Sequence, residues 1–223
     1  MSLLLHIDTA LEAASVCLSQ NETVLRMKGN TVQKDSATWL HTAIKELLQE
    51  HQVTLQQLSA VAVSAGPGSY TGLRVGMATA KGLCYAAALP LITINTLQMM
   101  AVAALEEDTD LLCPMIDARR MEVFLAIYNK ELGEVVPPQN CILQATALHE
   151  WLHSNTITFF GSGSTKFREI LNHPNAFFKN IPTNAKHLVT LAYKSLQHQQ
   201  FADLAYCEPF YGKEFYSPSP KKM

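Results

Sequence analysis

The feature that most limits how this chain can fold is an internal echo. LLLHIDTA at Leu3–Ala10 and LLCPMIDA at Leu111–Ala118 are both apolar runs that end in Ile-Asp. Val16-Cys17-Leu18 is answered by Val123-Phe124-Leu125. VAVSAGPGS (Val61–Ser69) is answered by ITFFGSGS (Ile157–Ser164), each reaching Gly-x-Gly-Ser before a helical pattern. Three landmarks in the same order, offset by roughly a hundred residues, point to a duplicated supersecondary unit. The chain is therefore read as two related α/β subdomains, 1–108 and 109–223, with the helix expected at Ala101–Glu107 and the acidic stretch EEDTD near their joint. A cleft between duplicated halves is a usual place for a ligand.

Within the first half, apolar runs at Leu3–Asp8, Ser15–Ser19 and Thr23–Met27 with short polar links predict a three-strand meander. Leu40, Ala43, Ile44, Leu47 and Leu48 lie on one amphipathic helical face that ends near His51, with Asp35 or Ser36 as its cap. Thr54 and Gln57 have capping-box spacing. Ala60–Ala65 reads as a buried strand, GPGSYTG as a turn, Thr71–Ala88 as a long helix and Leu91–Ile94 as a further strand. The closing PFYGKEFYSPSPKKM reads as a flexible tail whose aromatics pack back on the protein.

Composition excludes several function classes. Of 223 residues, 48% are hydrophobic and 16% charged, which suits a folded core, and the formal charge of −2 supplies no global basic field for nucleic acid or anionic membrane. His6 and Asp8 interrupt the first apolar run and no basic leader precedes it, so no signal peptide, no membrane span and a cytoplasmic location are expected. Five separated cysteines without a CxxC indicate free thiols rather than a disulfide framework or zinc ribbon.

Counting spacings removes the nucleotide motifs from GPGSYTG. A Walker A loop needs a Gly-Lys pair that is absent, GxGxxG meets Thr71 in its last position, and Gly68 directly before Ser69 breaks a GxSxG elbow. The helix beyond carries Gly72, Gly76, Ala80, Cys84 and Ala88 at steps of four. Such a row lets another element approach closely, either the chain's own sheet or a partner helix. The partner-interface candidates are Trp39, Leu40, Gly72, Gly76, Ala80 and Cys84. Asp8, Thr9, Asp117, Gly161 and Gly163 are candidates for a nucleotide cleft, the two aspartates being placed to orient a metal-bound phosphate. Against that, neither aspartate has the Gly and hydroxyl density of a phosphate hairpin. His149-Glu150-Trp151-Leu152-His153 matches HExxH, in which two histidines hold zinc and the glutamate activates water. The helix expected from Ala145 stops by Asn155 and no third ligand stands out beyond Glu169 or His173, so no metal site is assigned.

Taken together, IDT at Ile7–Thr9, GPGSYTGLRVGMATAKGL at Gly66–Leu83, Pro90 before a strand, IDARRMEVF at Ile116–Phe124 and GSG at Gly161–Gly163 resemble the TsaB (YeaZ) family across nearly the whole chain. The resemblance implies a duplicated actin/Hsp70-like α/β fold (ASKHA, RNase H-like). It also implies a non-catalytic subunit in the making of threonylcarbamoyladenosine, next to the anticodon of tRNAs that read codons beginning with A. Its implied partners are the catalytic TsaD-type subunit and a TsaE-type ATPase, with tRNA reached mainly through the complex. ATP or ADP would bind only at the interface of that complex, and a homodimer of the isolated chain is left open. The two helices flanking GPGSYTG are the elements that such proteins use in a helical-bundle dimer. TsaD-like enzymes carry a helical histidine pair for metal in the first subdomain, whereas DSATWLHTAIKELL has His41 alone. The alternatives are an actin-fold ATPase or kinase, or a HExxH zinc peptidase, acting on its own.

Overall fold

A computed structural model describes residues 1–30 and 36–212. Two five-stranded mixed sheets repeat one plan. In the first, β1 (Leu3–Asp8) pairs antiparallel with β2 (Ala14–Gln20), which pairs with β3 (Thr23–Asn30), while β4 (Ala60–Ser64) and β5 (Leu91–Ile94) add in parallel on the other side of β1. In the second, β6 (Leu111–Asp117), β7 (Glu122–Tyr128), β8 (Glu134–Ile142), β9 (Ile157–Phe160) and β10 (Ala176–Phe178) take the corresponding places. The duplicated α/β architecture expected from the echo is thus present, and the two sheets match strand for strand in their order.

Helix α1 (Ser36–Glu50) buries Leu40, Ala43, Ile44, Leu47 and Leu48, the stripe that its periodicity marks out. Of the two expected caps, Ser36 is the first residue of the helix and Asp35 lies outside the described residues. Helix α2 (Tyr70–Ala87) starts where the Ser69 hydroxyl accepts the Gly72 amide and ends at Ala88 in the left-handed region. These two helices cover one face of the first sheet through Leu5, Ile7, Val16, Val61 and Val63.

Helix α3 (Thr96–Ala103) begins earlier than the Ala101–Glu107 expected from apolar content. Its cap is Asn95, whose side chain accepts from the Leu97 and Gln98 amides, a signal hidden at the end of a strand. The expected helix Ala145–Asn155 shortens to α4 (His149–Leu152), because Leu148 adopts a left-handed conformation at φ 62°. Helices α5 (Ser164–Arg168) and α6 (Val189–Gln197) complete the set.

The halves do not keep their last helices to themselves. Leu97, Met100 and Ala101 of α3 pack on Leu112, Ile116, Phe124 and Phe160 of the second sheet. Leu188, Leu191 and Ala192, at the start of α6 and just before it, pack on Leu4, Ala60, Ala62 and Ile92 of the first. The boundary read at residue 108 therefore divides the sequence repeat and not the packing, since burial on the opposite sheet holds each helix. A strap then runs back over the first half. Ala202 bridges Leu91, the Lys81 ammonium donates to the carbonyls of Ala205 and Cys207, and the Phe210 amide donates to Ala65 O at 2.7 Å. The strap ends with Tyr211 against Tyr70, ring centroids 5.1 Å apart, and Gly212 over the Phe124 ring. Tyr211 packs back as expected, whereas the Phe210 ring is exposed and only its backbone makes contact, and the rest of the expected tail, 213–223, lies outside the described residues.

Candidate functional site

Parallel strands β1 and β4 bring the Thr9–Leu11 turn and the GPGSYTG turn to the same end of the first sheet. Here the glycines serve the chain itself. A Cβ at Gly68 would collide with the Ala10 carbonyl, one at Gly72 with the Thr9 carbonyl, and one at Gly76 with the Thr9 hydroxyl. The Thr9 hydroxyl donates to Gly72 O at 2.7 Å and the Ser69 amide to Ala10 O at 2.7 Å. Gly66, at φ 112°, has the Phe210 carbonyl of the strap where a side chain would be.

This placement corrects the partner-interface set. Gly76, Ala80 and Cys84 face the chain's own sheet, and Gly72 is half-buried under Thr9. Leu40 is buried in the same core, leaving Trp39, half-buried, as the member of the set with a surface on that side. The step-of-four row lets α2 settle onto β4, the intramolecular use of close packing. The accessible side of the two helices presents a groove floored by Ile44, Leu48, Leu55 and Leu83 and edged by His41, Lys45 and Gln49. Gly82 and Tyr85 lie on the exposed side of α2, the tyrosine 84% exposed.

Asp8 and Asp117 occupy equivalent strand ends in opposite environments. Asp8 is fully buried, and its Oδ1 accepts from the Ser64 hydroxyl at 2.6 Å and the Ala10 amide at 3.1 Å. Among the described residues its Oδ2 has no hydrogen-bond partner, and burial pushes the carboxyl up to about 6. On the same strand face, His6 pairs its Nε2 with the Ser19 hydroxyl at 2.8 Å, and burial pulls its imidazole down to about 3. Asp117 stands on the surface, where the Lys166 ammonium 2.7 Å away holds its carboxyl below the usual range. Its amide donates to the Ser162 hydroxyl and its Oδ1 accepts the Arg119 amide at 2.6 Å.

The five residues proposed for a nucleotide cleft are therefore not assembled as one open site. Asp8 and Thr9 are sealed under the first-half turn, and Asp117 is engaged by Lys166. Gly161, at φ 89°, and Gly163 are needed for close packing: a Cβ on the first would meet Met100 and the Met115 carbonyl, and one on the second Val123 and Met115. In the HExxH segment, the His149 ring centroid lies 5.7 Å from that of His173, whose Nδ1 accepts the Asn175 amide. Among the described residues, no group of three or more His, Cys, Asp or Glu could hold a metal ion, and all five cysteines are free. No helix among them is long and apolar enough to cross a membrane. Sequence reasoning expected the tail's aromatics to pack back but missed the run of the strap over 202–207, whose hydrogen bonds are made by backbone carbonyls and amides.

A family model described as TsaD, tRNA N6-adenosine threonylcarbamoyltransferase, matches residues 13–214. A Bacillus subtilis protein named tRNA threonylcarbamoyladenosine biosynthesis protein TsaB is 29% identical over 192 residues, covering 82% of this chain and 81% of that protein. The Escherichia coli protein of the same name is 34% identical over 129 residues, 57% of this chain and 55% of the relative's length. The solved structure titled YeaZ from Pseudomonas aeruginosa superposes with a TM-score of 0.82 at 26% identity, covering 95% of this chain and all of that one.

Proposed function

We propose that this chain, which belongs to the TsaD family and within it to the TsaB (YeaZ) proteins, is a non-catalytic partner subunit in the synthesis of threonylcarbamoyladenosine in tRNA. The observation that carries the proposal is the sealed first crevice. In a fold that places ligands at the carboxyl ends of parallel strands, this chain fills that end of β1 and β4 with its own turn, its own hairpin and the strap. A carboxylate locked away with Ser64 supports an accessory role better than it supports hydrolysis or transfer.

The subunit bound is a TsaD-type transferase, and the surface offered to it is the outward side of α1 and α2, including Trp39 and the groove between them. An isolated chain would cover the same apolar groove by pairing with a second copy. A TsaE-type ATPase joins the assembled pair, and ATP or ADP binds only where the chain meets its partner. Tagging the chain in its own cells should recover the TsaD-type subunit, and depleting it should abolish threonylcarbamoyladenosine in bulk tRNA. Unchanged nucleoside content after depletion would refute the assignment.

A further inference from the structure

The hairpin joining β6 to β7 holds three successive residues other than glycine in the left-handed region: Arg119 at φ 67°, Arg120 at φ 47° and Met121 at φ 58°. Side chains rarely adopt this backbone, and hairpin turns that require it favour Gly, Asn or Asp. Such strain persists only when the surroundings enforce it, and it clusters at functional sites. Enforcement is visible on both sides of the turn. Asp117 accepts the Arg119 amide and the Ala118 amide donates to Glu122 O, while the Leu143 amide donates to Met121 O at 2.7 Å. The Lys166 ammonium ties Asp117 Oδ1 to Glu122 O, at 2.7 and 2.6 Å.

The Asp117 carboxyl is held down chiefly by Lys166, and the charge of Arg119 is the smallest of the contributions to it. Arg119 and Arg120 are both exposed, and neither guanidinium forms a salt bridge among the described residues. The hairpin's own carboxylates are already engaged, Asp117 by Lys166 and Glu122 by the Asn140 amide. Paired guanidiniums on a rigid turn suit phosphate oxygens, which they can grip with two parallel hydrogen bonds. Both arginines stand exposed on the hairpin, so the turn suits an extended polyanion better than a small nucleotide. On a chain of net charge −2, such a patch gives local and not general attraction.

We infer that the Arg119-Arg120 turn is the chain's own contact with the phosphodiester backbone of the tRNA substrate. The inference rests on the functional reading above. Its test uses the assembled complex with its TsaD-type subunit, an unmodified tRNA transcript, and the double variant Arg119→Gly/Arg120→Gly. Glycine accepts the left-handed backbone, so the turn should fold at least as well as before. Subunit affinity should be unchanged. Affinity for tRNA should fall about three- to tenfold at 0.1 M salt, and the slope of log K against log salt should lessen by about 1 to 2.

Equal tRNA affinity and equal salt slope in the two complexes would overturn the inference. So would a variant that loses affinity for ATP while retaining it for tRNA, which would assign the arginines to a nucleotide. Failure of the wild-type chain to associate with the TsaD-type subunit would refute the functional reading separately. The same tRNA titration on the isolated wild-type and variant chains at low salt then decides the hairpin's role.

Discussion

Gly72 and Gly82 share one helix and have opposite meanings. At Gly72 a methyl group would strike the Thr9 carbonyl, which is fixed in a hairpin, whereas at Gly82 nothing lies within 4 Å. Helix propensity favours alanine at either position by about 1 kcal/mol. Overpacking against backbone costs about 1–3 kcal/mol and should win at the first. Urea denaturation is thus expected to show Gly72→Ala destabilised and Gly82→Ala stabilised. Asp8 allows a second residue-scale prediction. Its folded-state pKa of about 6 exceeds the ordinary 3.8, so the folded chain keeps a proton that the unfolded chain releases in between. Stability from this group is full below the unfolded value and is lost as pH rises through the folded one, by roughly 3 kcal/mol in all. His6 acts in the opposite sense, since its depressed value makes stability rise with pH between about 3 and 6.5 and masks the loss in the wild type. Asp8→Asn should therefore gain stability relative to wild type between pH 4 and 7. A difference between the two chains that stays constant across that range, measured by denaturation, would contradict the burial argument.

At the scale of elements, α1 and α2 show what periodicity can and cannot reveal. The stripe Leu40, Ala43, Ile44, Leu47 and Leu48 identifies a buried face unaided, because a helix on a sheet must repeat near 3.6 residues. The small-residue row on α2 is equally visible in the sequence, but its direction is not. A close approach by a partner and a close approach by β4 leave the same pattern, and only the position of Thr9 against Gly72 and Gly76 distinguishes them. Similarly, Asp8 and Asp117 look alike as strand ends, while their environments depend on which neighbour reaches them, the Ser64 hydroxyl of β4 or the Lys166 ammonium of α5. The partner surface proposed above accordingly lies on the outward side of the same helices. Gly82→Arg places a large side chain there in open space at no cost to the fold. It should weaken association with the TsaD-type subunit at least tenfold by calorimetry, about 1.4 kcal/mol or more, with an unaltered urea midpoint or a higher one.

For the whole molecule, the duplication was legible in the echo of LLLHIDTA and LLCPMIDA, but the reciprocal seating of α3 and α6 was not. Apolar residues on those helices announce burial without naming the sheet that receives them. The strap was less legible still, because Ala202, Ala205 and Cys207 contribute backbone atoms that any sequence possesses. Lys81 is the charged side chain that anchors the strap to α2. Replacing it by methionine keeps the aliphatic stem and removes a charged donor shared by two carbonyls, a loss of about 1.5–3 kcal/mol where such bonds are screened from water and less at this partly exposed site. Limited proteolysis should then cut within 201–212 sooner than in the wild type, while the second sheet stays protected. The strap also orders events in time. Phe210 is translated long after the Gly66 turn that it covers, so the amino-terminal half leaves the ribosome with that edge uncapped. Until the last stretch emerges, a nascent chain must hold its first sheet together without the segment that closes it.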